Sequence, residues 1–153
     1  MSLVVLGAEG FLVERAIEWF VAVTAIAIGA SHLLRPGDWA EAFRQLHGCG
    51  RPGAFANGVL TLTFGAAIVA GHASWAWPGA VLTVFGWLLV AKGASCLLVP
   101  DKALQSMARG ANSPRGFVLA GVLSLVIGAW ACGCLWHGAA KAEANAAPDT
   151  GHR

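Results

Sequence analysis

The chain of 153 residues has little charge: only 12% of its residues are Asp, Glu, Lys or Arg, whereas 57% are hydrophobic. Soluble domains typically carry about 25% charged residues. This shortage excludes a disordered chain, a basic nucleic-acid-binding protein and a soluble globular domain, because too few polar side chains remain to cover a water-facing surface. The composition therefore predicts an integral membrane protein with the lipid bilayer as its surroundings and no nucleic-acid partner.

Motifs of catalysis are also missing. The sequence contains no GxSxG, no HExxH and no glycine-rich phosphate loop followed by Lys and Ser or Thr. Its few acidic residues lie near the ends of apolar runs, where hydration and helix capping account for them. Glu14 and Glu18 share a helix face, but they flank Arg15 at the outer rim, which argues against proton coupling. We therefore expect a protein that is not an enzyme and has no resident cofactor.

Four apolar runs approach the roughly 20 residues that a helix needs to cross a bilayer. We expect spans at about 16–34, 55–71, 79–99 and 117–136. Lys and Arg are concentrated in the first and third loops and are absent from the second. The positive-inside rule then predicts that loops 35–54 and 100–116 are cytoplasmic and that both termini lie outside. The apolar N-terminus lacks the positive charge of a cleaved signal peptide, so we expect it to be retained.

The two halves of the chain resemble each other in sequence. Residues 29–36 (GASHLLRP) match 93–100 (GASCLLVP) at six of eight positions, and residues 58–66 (GVLTLTFGA) match 121–129 (GVLSLVIGA) at six of nine. Two matches in the same order at nearly the same offset indicate a tandem repeat. Because each unit holds an even number of spans, both copies enter the membrane in the same direction, about a pseudo-twofold axis along the membrane normal.

These observations predict an all-α membrane protein: a four-transmembrane-helix bundle built from two parallel two-span repeats, with short amphipathic interfacial helices after spans 1 and 3. The repeats cover residues 1–71 and 79–136, and residues 137–153 form a flexible polar tail. At the start of the first interfacial helix, Asp38 is followed three residues later by Glu41, which is the spacing of a capping box.

One face of this first interfacial helix is apolar. It carries Trp39, Phe43 and Leu46, which predicts that the helix lies flat on the membrane surface with Arg44 towards the lipid headgroups. Such a helix either binds anionic lipid or a partner, or it simply connects two spans; we favour the connector.

In each half, an apolar span runs into a leucine-rich exit marked by proline, followed by an amphipathic stretch and a second, glycine-containing span. The residues are Leu33-Leu34-Arg35-Pro36 with Trp39 and Arg44, and Leu97-Leu98-Val99-Pro100. On these residues each half resembles the small two-span bacterial inner-membrane proteins classed as a domain of unknown function. The resemblance implies a bacterial inner-membrane location and no particular activity, since none is assigned to that family.

Small residues recur at heptad spacing in all four spans, which places them on one face of each helix. They are Ala22, Gly29, Gly58, Gly65, Gly79, Gly86, Gly93, Gly121 and Gly128. A smooth stripe of this kind lets a neighbouring helix approach closely. We expect these stripes to pack the bundle internally; a stripe that faces outward would instead mark an interface with another membrane subunit or a second copy.

Positions where the two halves differ are candidates for function. At the cytoplasmic third of the membrane these are His32 against Cys96, Lys92 against Ile28, and Asn57 against Ala120. His32, Asn57 and Lys92 would then gather at similar depth, which suggests an intramembrane site for a small anion or a proton relay. The alternative is that Lys92 and His32 extend their polar groups to the cytoplasmic headgroups.

A second candidate cluster lies at the outer end of the fourth span. It consists of Cys132, Cys134 and His137, with His72 at the same level. Imidazole and thiolate bind soft or borderline metals, and His72 with His137 could hold a haem. Residues two apart on a helix point in different directions, so the two cysteines form neither a chelate nor a disulfide with each other. The alternative is a set of buried thiols.

Three functions are therefore open. The first is a non-enzymatic multi-pass protein, an accessory or assembly subunit of a membrane complex or a homo-oligomer packed through its glycine stripes. The second is a small transporter or channel that uses His32, Asn57 and Lys92. The third is a haem-binding electron-transfer subunit that uses His72 and His137. The sequence favours the first, because it offers short loops, no catalytic motif and no soluble domain.

Overall fold

The computed structural model describes residues 2–146, which form six α-helices and no strand. The helices are α1 (Ser2–Leu34), α2 (Pro36–Gly48), α3 (Arg51–Gly71), α4 (Ala80–Leu98), α5 (Pro100–Ala111) and α6 (Pro114–Ala146). Four segments are long and apolar enough to cross a membrane: Gly10–Leu34, Arg51–Gly71, Ala80–Leu98 and Pro114–Ala140. The prediction of an all-helical multi-pass membrane protein with four spans is thus confirmed.

Two of the spanning helices are longer than the sequence predicts. α1 and α6 have 33 residues each, about 50 Å at 1.5 Å per residue, whereas the bilayer core is about 30 Å thick. α6 continues through residues 137–146, which we expected to be part of a flexible tail, because half of this stretch is Ala, the best helix former. The remainder of the predicted tail, 147–153, lies outside the described residues.

Proline marks the start of four helices, where its missing N–H costs no hydrogen bond. Pro36 and Pro100 open α2 and α5, and the chain turns into them directly from the preceding spans. The predicted capping box at Asp38 is wrong. Because α2 begins at Pro36, its N-cap is Arg35, and Asp38 lies within the first turn, where it pairs with Arg35 at 3.1 Å.

The four spans pack as two pairs. α1 lies along α6, α3 lies along α4, and the two pairs contact each other much less. α2 and α5 contact each other at one end of the spans, which we call the short-helix end. The connection between α3 and α4, residues 72–79, lies at the opposite end, which we call the hairpin end. The molecule thus has two distinct ends, and the candidate residues of the sequence analysis fall at one or the other.

The small residues of the predicted stripes lie at contacts between these helices. A Cβ added to Gly65 would come 2.6 Å from the backbone nitrogen of Val90, and one added to Gly29 would come 2.9 Å from the carbonyl oxygen of Gly121. Each of the eight glycines would bring its added Cβ to within 2.9 Å of an atom outside its own turn, and Ala22 is buried. These residues are therefore used for packing within the chain and do not form an outward stripe.

The interior of the hairpin half is apolar. Val21, Ile68, Leu82, Ala131 and Leu135 form its buried centre. Side chains from both helix pairs close it, since the rings of Phe20 and Phe64 stack at 5.4 Å and the indole N–H of Trp130 donates to the carbonyl oxygen of Pro78 at 3.0 Å.

Candidate functional site

A cavity of about 360 Å³ lies at the short-helix end, between the spans and the helices α2 and α5. Its polar lining residues are His32, Asn57, Lys92, Ser95 and Ser106. The structure thus brings His32, Asn57 and Lys92, the three residues singled out by the differences between the halves, to one cavity. None of the described residues that line it is acidic.

His32 is held rigidly in this cavity. Its ring stacks on Trp39 of α2 with a centroid separation of 4.2 Å, and Phe117 of α6 lies 5.7 Å away on a similar plane. Its Nδ1 lies 2.8 Å from the carbonyl oxygen of Ile28, so Nδ1 carries a hydrogen and donates it. Nε2 is therefore the nitrogen left for a ligand, because Nδ1 is already bonded to the backbone; in the neutral ring Nε2 is an acceptor.

Lys92 and Asn57 complete the polar part of the lining from α4 and α3. The amide nitrogen of Asn57 lies 4.0 Å from the sulfur of Cys96, which is a weak contact and leaves the amide group able to bind a ligand. Lys92 is exposed and makes no ion pair within the part of the chain that the structure describes. Its ammonium group is thus a positive charge without a protein counterion.

A second group of ionisable side chains lies at the hairpin end. Glu14 and Glu18 of α1 line a cavity of about 240 Å³. His72, the residue that ends α3, is fully buried, and its Nε2 lies 3.7 Å from a carboxylate oxygen of Glu14 and 3.6 Å from one of Glu18. These distances exceed those of a hydrogen bond, and Nε2 has no hydrogen-bond partner.

Thr83 of α4 fixes the other side of this imidazole. Its hydroxyl oxygen lies 2.8 Å from the carbonyl oxygen of Ser74 and 3.1 Å from the carbonyl oxygen of His72. The hydroxyl oxygen lies 3.3 Å from Nδ1 of His72. The carbonyl oxygens can only accept, whereas Nδ1 donates to the hydroxyl or accepts from it according to the tautomer of the ring. In either case Thr83 contacts the ring at Nδ1, and Nε2 faces the carboxylates.

The carboxylates also determine the acidity of this imidazole. The Glu18 carboxylate that faces Nε2 raises the pKa of His72 above its ordinary value and outweighs the burial of the ring, which acts in the opposite direction. The negative charge of Glu14 adds to the rise. His72 and Glu18 thus form an ionisable pair that favours the protonated imidazole.

The two cysteines of the second predicted cluster lie on different faces of α6, since Cys134 is buried and Cys132 is exposed. All four cysteines of the chain are free thiols. His137 lines the same cavity as Glu14, but both nitrogens of His72 face protein groups, so His72 offers no nitrogen to an axially bound haem. Within residues 2–146, moreover, no three His, Cys, Asp or Glu side chains are arranged to hold a metal ion. The residues at this end do not fit a haem or a metal.

Sequence reasoning missed Glu18 as a buried partner of His72, because it placed both acids of α1 at the outer rim. A signal was present in the sequence matches between the two halves. When the offsets of these matches are extended along each span, Glu18 aligns with Leu82 and His72 with Leu135, and both leucines are buried. An ionisable pair therefore occupies positions that are apolar core in the other half.

Comparison with protein-family models, with curated proteins and with solved structures finds no match to this chain. What the protein does must therefore be argued from its own residues.

Proposed function

We propose that this multi-pass membrane protein binds a small anion in the cavity at its short-helix end and carries that anion across the membrane. The observation that supports the proposal is the charge of the lining, in which Lys92 supplies a cation without a counterion and no acidic side chain opposes it. Ionisable residues in membrane spans are costly and are found where ions or substrates bind.

The size and polarity of the cavity narrow the class of ligand. A volume of about 360 Å³ lies at the small end of the range for ligand pockets, roughly 300–1,000 Å³. Lys92 offers one charge and the amide of Asn57 offers N–H donors to the anionic group, whereas Nε2 of the neutral His32 ring can only accept and so suits a hydroxyl elsewhere on the ligand. This combination suits a ligand with a single carboxylate or phosphate group, either a free small acid or the headgroup of an anionic lipid.

In our proposal this cavity faces the cytoplasm of a bacterial cell. The short-helix end carries six Lys or Arg residues, whereas the second loop carries none. By the positive-inside rule, such an end is retained on the cytoplasmic side. These residues are Arg35, Arg44, Arg51, Lys102, Arg109 and Arg115.

We also infer that the chain is a tandem repeat with a pseudo-twofold axis. The packing supports this inference, because exchanging the two halves exchanges the α3–α4 pair with the α6–α1 pair and relates α2 to α5. Equivalent atoms meet equivalent neighbours: Gly65 approaches the backbone nitrogen of Val90, and its counterpart Gly128 approaches that of Ile26. Parallel repeats about an axis along the membrane normal occur in some transporters, whereas many others are built from inverted repeats.

The accessory-subunit hypothesis stays a prediction with less support. It drew on the glycine stripes together with the short loops and the lack of catalytic motifs, and the glycines of those stripes lie at contacts within the chain. A partner would have to bind the lipid-facing apolar side chains instead, and such side chains are expected on any membrane protein.

Ligand-dependent stability tests the anion site. We expect inorganic phosphate or a short carboxylic acid to raise the unfolding temperature of the purified protein in detergent in a saturable way, since a ligand stabilises the state that binds it. Lys92→Gln should weaken the apparent affinity at least tenfold, about 1.4 kcal/mol. Lys102→Gln is the matched control, because Lys102 lies at the same end but does not line the cavity.

The possible results distinguish a free acid from a lipid headgroup as the ligand, and one of them would refute the anion site. Uptake of the stabilising acid into proteoliposomes, lost in Lys92→Gln, would support a carrier. Stabilisation only by vesicles that contain anionic lipid would assign the cavity to a headgroup and refute transport. Equal behaviour of Lys92→Gln and Lys102→Gln would show that the cavity does not bind anions.

A further inference from the structure

The hairpin end holds a group of ionisable side chains that the anion site does not use. His72 joins the two helix pairs there, because its ring belongs to the end of α3 while the carboxylates that it faces belong to α1. Close to this point α1 and α3 also meet through Ile17 and Gly71. A change in charge at His72 would therefore act on the contact between the pairs.

The orientation of the ring creates an electrostatic requirement at Nε2. Nε2 lies 3.6 and 3.7 Å from two carboxylate oxygens, is buried away from water and has no hydrogen-bond partner. A neutral ring presents to these carboxylates either one N–H group or a lone pair that they repel, according to its tautomer. A protonated ring places a full positive charge beside both carboxylates, so the arrangement is most favourable when the imidazole is charged.

We propose that His72, Glu14 and Glu18 form a proton-binding site that couples α1 to the hairpin between α3 and α4. A proton taken up by the ring converts the imidazole into an imidazolium beside two carboxylates, and the helix pairs are then held together at this end. Loss of that proton removes the charge attraction and loosens the contact. The hydrogen ion is the only reactant, and the net change is one N–H bond formed or broken.

A route for the proton is visible in the burial of the two acids. His72 is fully enclosed and Glu18 is largely buried, whereas the side chain of Glu14 is 38% exposed at the edge of the hairpin-end cavity. Glu14 can therefore exchange a proton with water and pass it inward. This places the site in contact with the aqueous side at the hairpin end.

Other charged or titratable groups also face this region. Arg15 of α1 lines the cavity, and its guanidinium lies 3.5 Å from the carbonyl oxygen of Leu135. Cys134 and His137 of α6 line the same cavity. His137 is a second histidine at this cavity, so the experiment must separate its signal from that of His72.

Titration of the histidine side chains by NMR is the direct test. The full chain would be labelled with ¹³C at histidine Cε1 in a detergent micelle and titrated between about pH 5 and 9. The five histidine signals can be assigned by single His→Gln variants, and His72 by elimination if its own variant does not fold. We expect His72 to titrate above the ordinary value of about 6.5.

Variants of the acids and of the second histidine complete the test. Glu18→Gln should lower the midpoint of His72 by about one pH unit or more, and Glu14→Gln by less, whereas His137→Gln should leave it unchanged. A His72 midpoint at or below 6.5, or one that ignores Glu18→Gln, would overturn the proposal. So would displacement of the His72 signal by Zn²⁺ at fixed pH, since the site would then be a metal site.

Stability measurements test whether protonation of His72 strengthens the contact between the helix pairs. Because the folded state raises the pKa of His72, its contribution to stability is fully present below about pH 6.5 and is lost as the pH rises through the raised value. The unfolding temperature should fall over that interval, and His137→Gln should preserve the fall. The same profile in Glu18→Gln would contradict the coupling. Neither measurement depends on anion binding, so this proposal and the anion site can fail separately.

Discussion

At three corresponding positions the first half of the chain carries an ionisable side chain where the second half carries an apolar or small one, and at a fourth the order is reversed, with Lys92 of the second half opposite Ile28. Glu18 corresponds to buried Leu82, and His72 to buried Leu135. At the other end, His32 corresponds to Cys96. Yet the packing is alike, since a Cβ added to Gly121 would meet His32 at 2.9 Å and one added to Gly58 would meet Cys96 at 2.9 Å.

This difference separates what packs the helices from what provides chemistry. Close helix contact depends on glycine, where backbone meets backbone, and both halves keep those glycines. The positions next to the glycines tolerate either an apolar or an ionisable side chain. The first half carries polar groups at both ends of the spans and keeps the same glycine contacts that hold the spans together.

Making the first half more like the second at the hairpin end should have the largest effect. Glu18→Leu alone leaves the buried Nε2 of His72 facing only Glu14, and we expect it to destabilise the protein by about 3 kcal/mol, as removal of one partner from a buried pair does. Glu18→Leu combined with His72→Leu should recover most of this loss, because two leucines occupy the equivalent positions Leu82 and Leu135. Unfolding by denaturant in mixed micelles would measure both.

The double variant is the informative one. If it is no more stable than Glu18→Leu, then the pair is not exchangeable for apolar packing, and the two halves differ in shape as well as in polarity. Glu14→Gln serves as the control for partial loss of charge, since Glu14 is the more exposed of the two acids.

Equivalent glycines should differ in a smaller but measurable way. An added Cβ at Gly65 would come 2.6 Å from the backbone nitrogen of Val90, whereas at Gly128 the nearest atom, at 2.7 Å, is a side-chain carbon of Ile26. A side chain can move aside and a backbone cannot. We expect Gly65→Ala to cost about 2 kcal/mol and Gly128→Ala about 1 kcal/mol, within the range for overpacking.

Gly133 provides the control, because nothing lies within 4 Å of a Cβ added there. Gly133→Ala should leave stability unchanged or raise it by up to about 1 kcal/mol through helix propensity. Thermal unfolding of the three variants side by side would suffice. Equal losses at Gly65 and Gly128 would mean that the side chain of Ile26 is as immobile as the backbone.

The spans could be predicted from sequence because they depend on the length and polarity of single segments. Short-range features were less accurate: the capping box at Asp38 failed because proline at position 36 started the helix two residues earlier. The helical continuation through 137–146 was missed because polar residues were taken to exclude regular structure.

The partners in the candidate sites were harder to predict, since they depend on how separate helices meet. The divergence between the halves pointed to His32, Asn57 and Lys92 because the matched segments include or adjoin them. It did not point to Glu18, which lies outside those segments. The contact between Glu18 and His72 also requires the end of α3 to meet α1, although α1 packs mainly on α6.

The smallest effect is expected for an exposed ion pair that has no counterpart when the two halves are aligned. Arg51 of α3 and Asp101 of α5 approach to 3.5 Å, with both side chains about two-thirds exposed. With the offsets of the two sequence matches their counterparts are Pro114 and Gly37, which cannot form such a pair. Water screens exposed charges, so Asp101→Asn should change stability by less than about 0.5 kcal/mol. Chemical denaturation at low and high salt would measure the change. A salt-sensitive loss well above that value would mean that this pair holds α5 against α3, and that a contact without a counterpart in the other half helps to fasten the short-helix end.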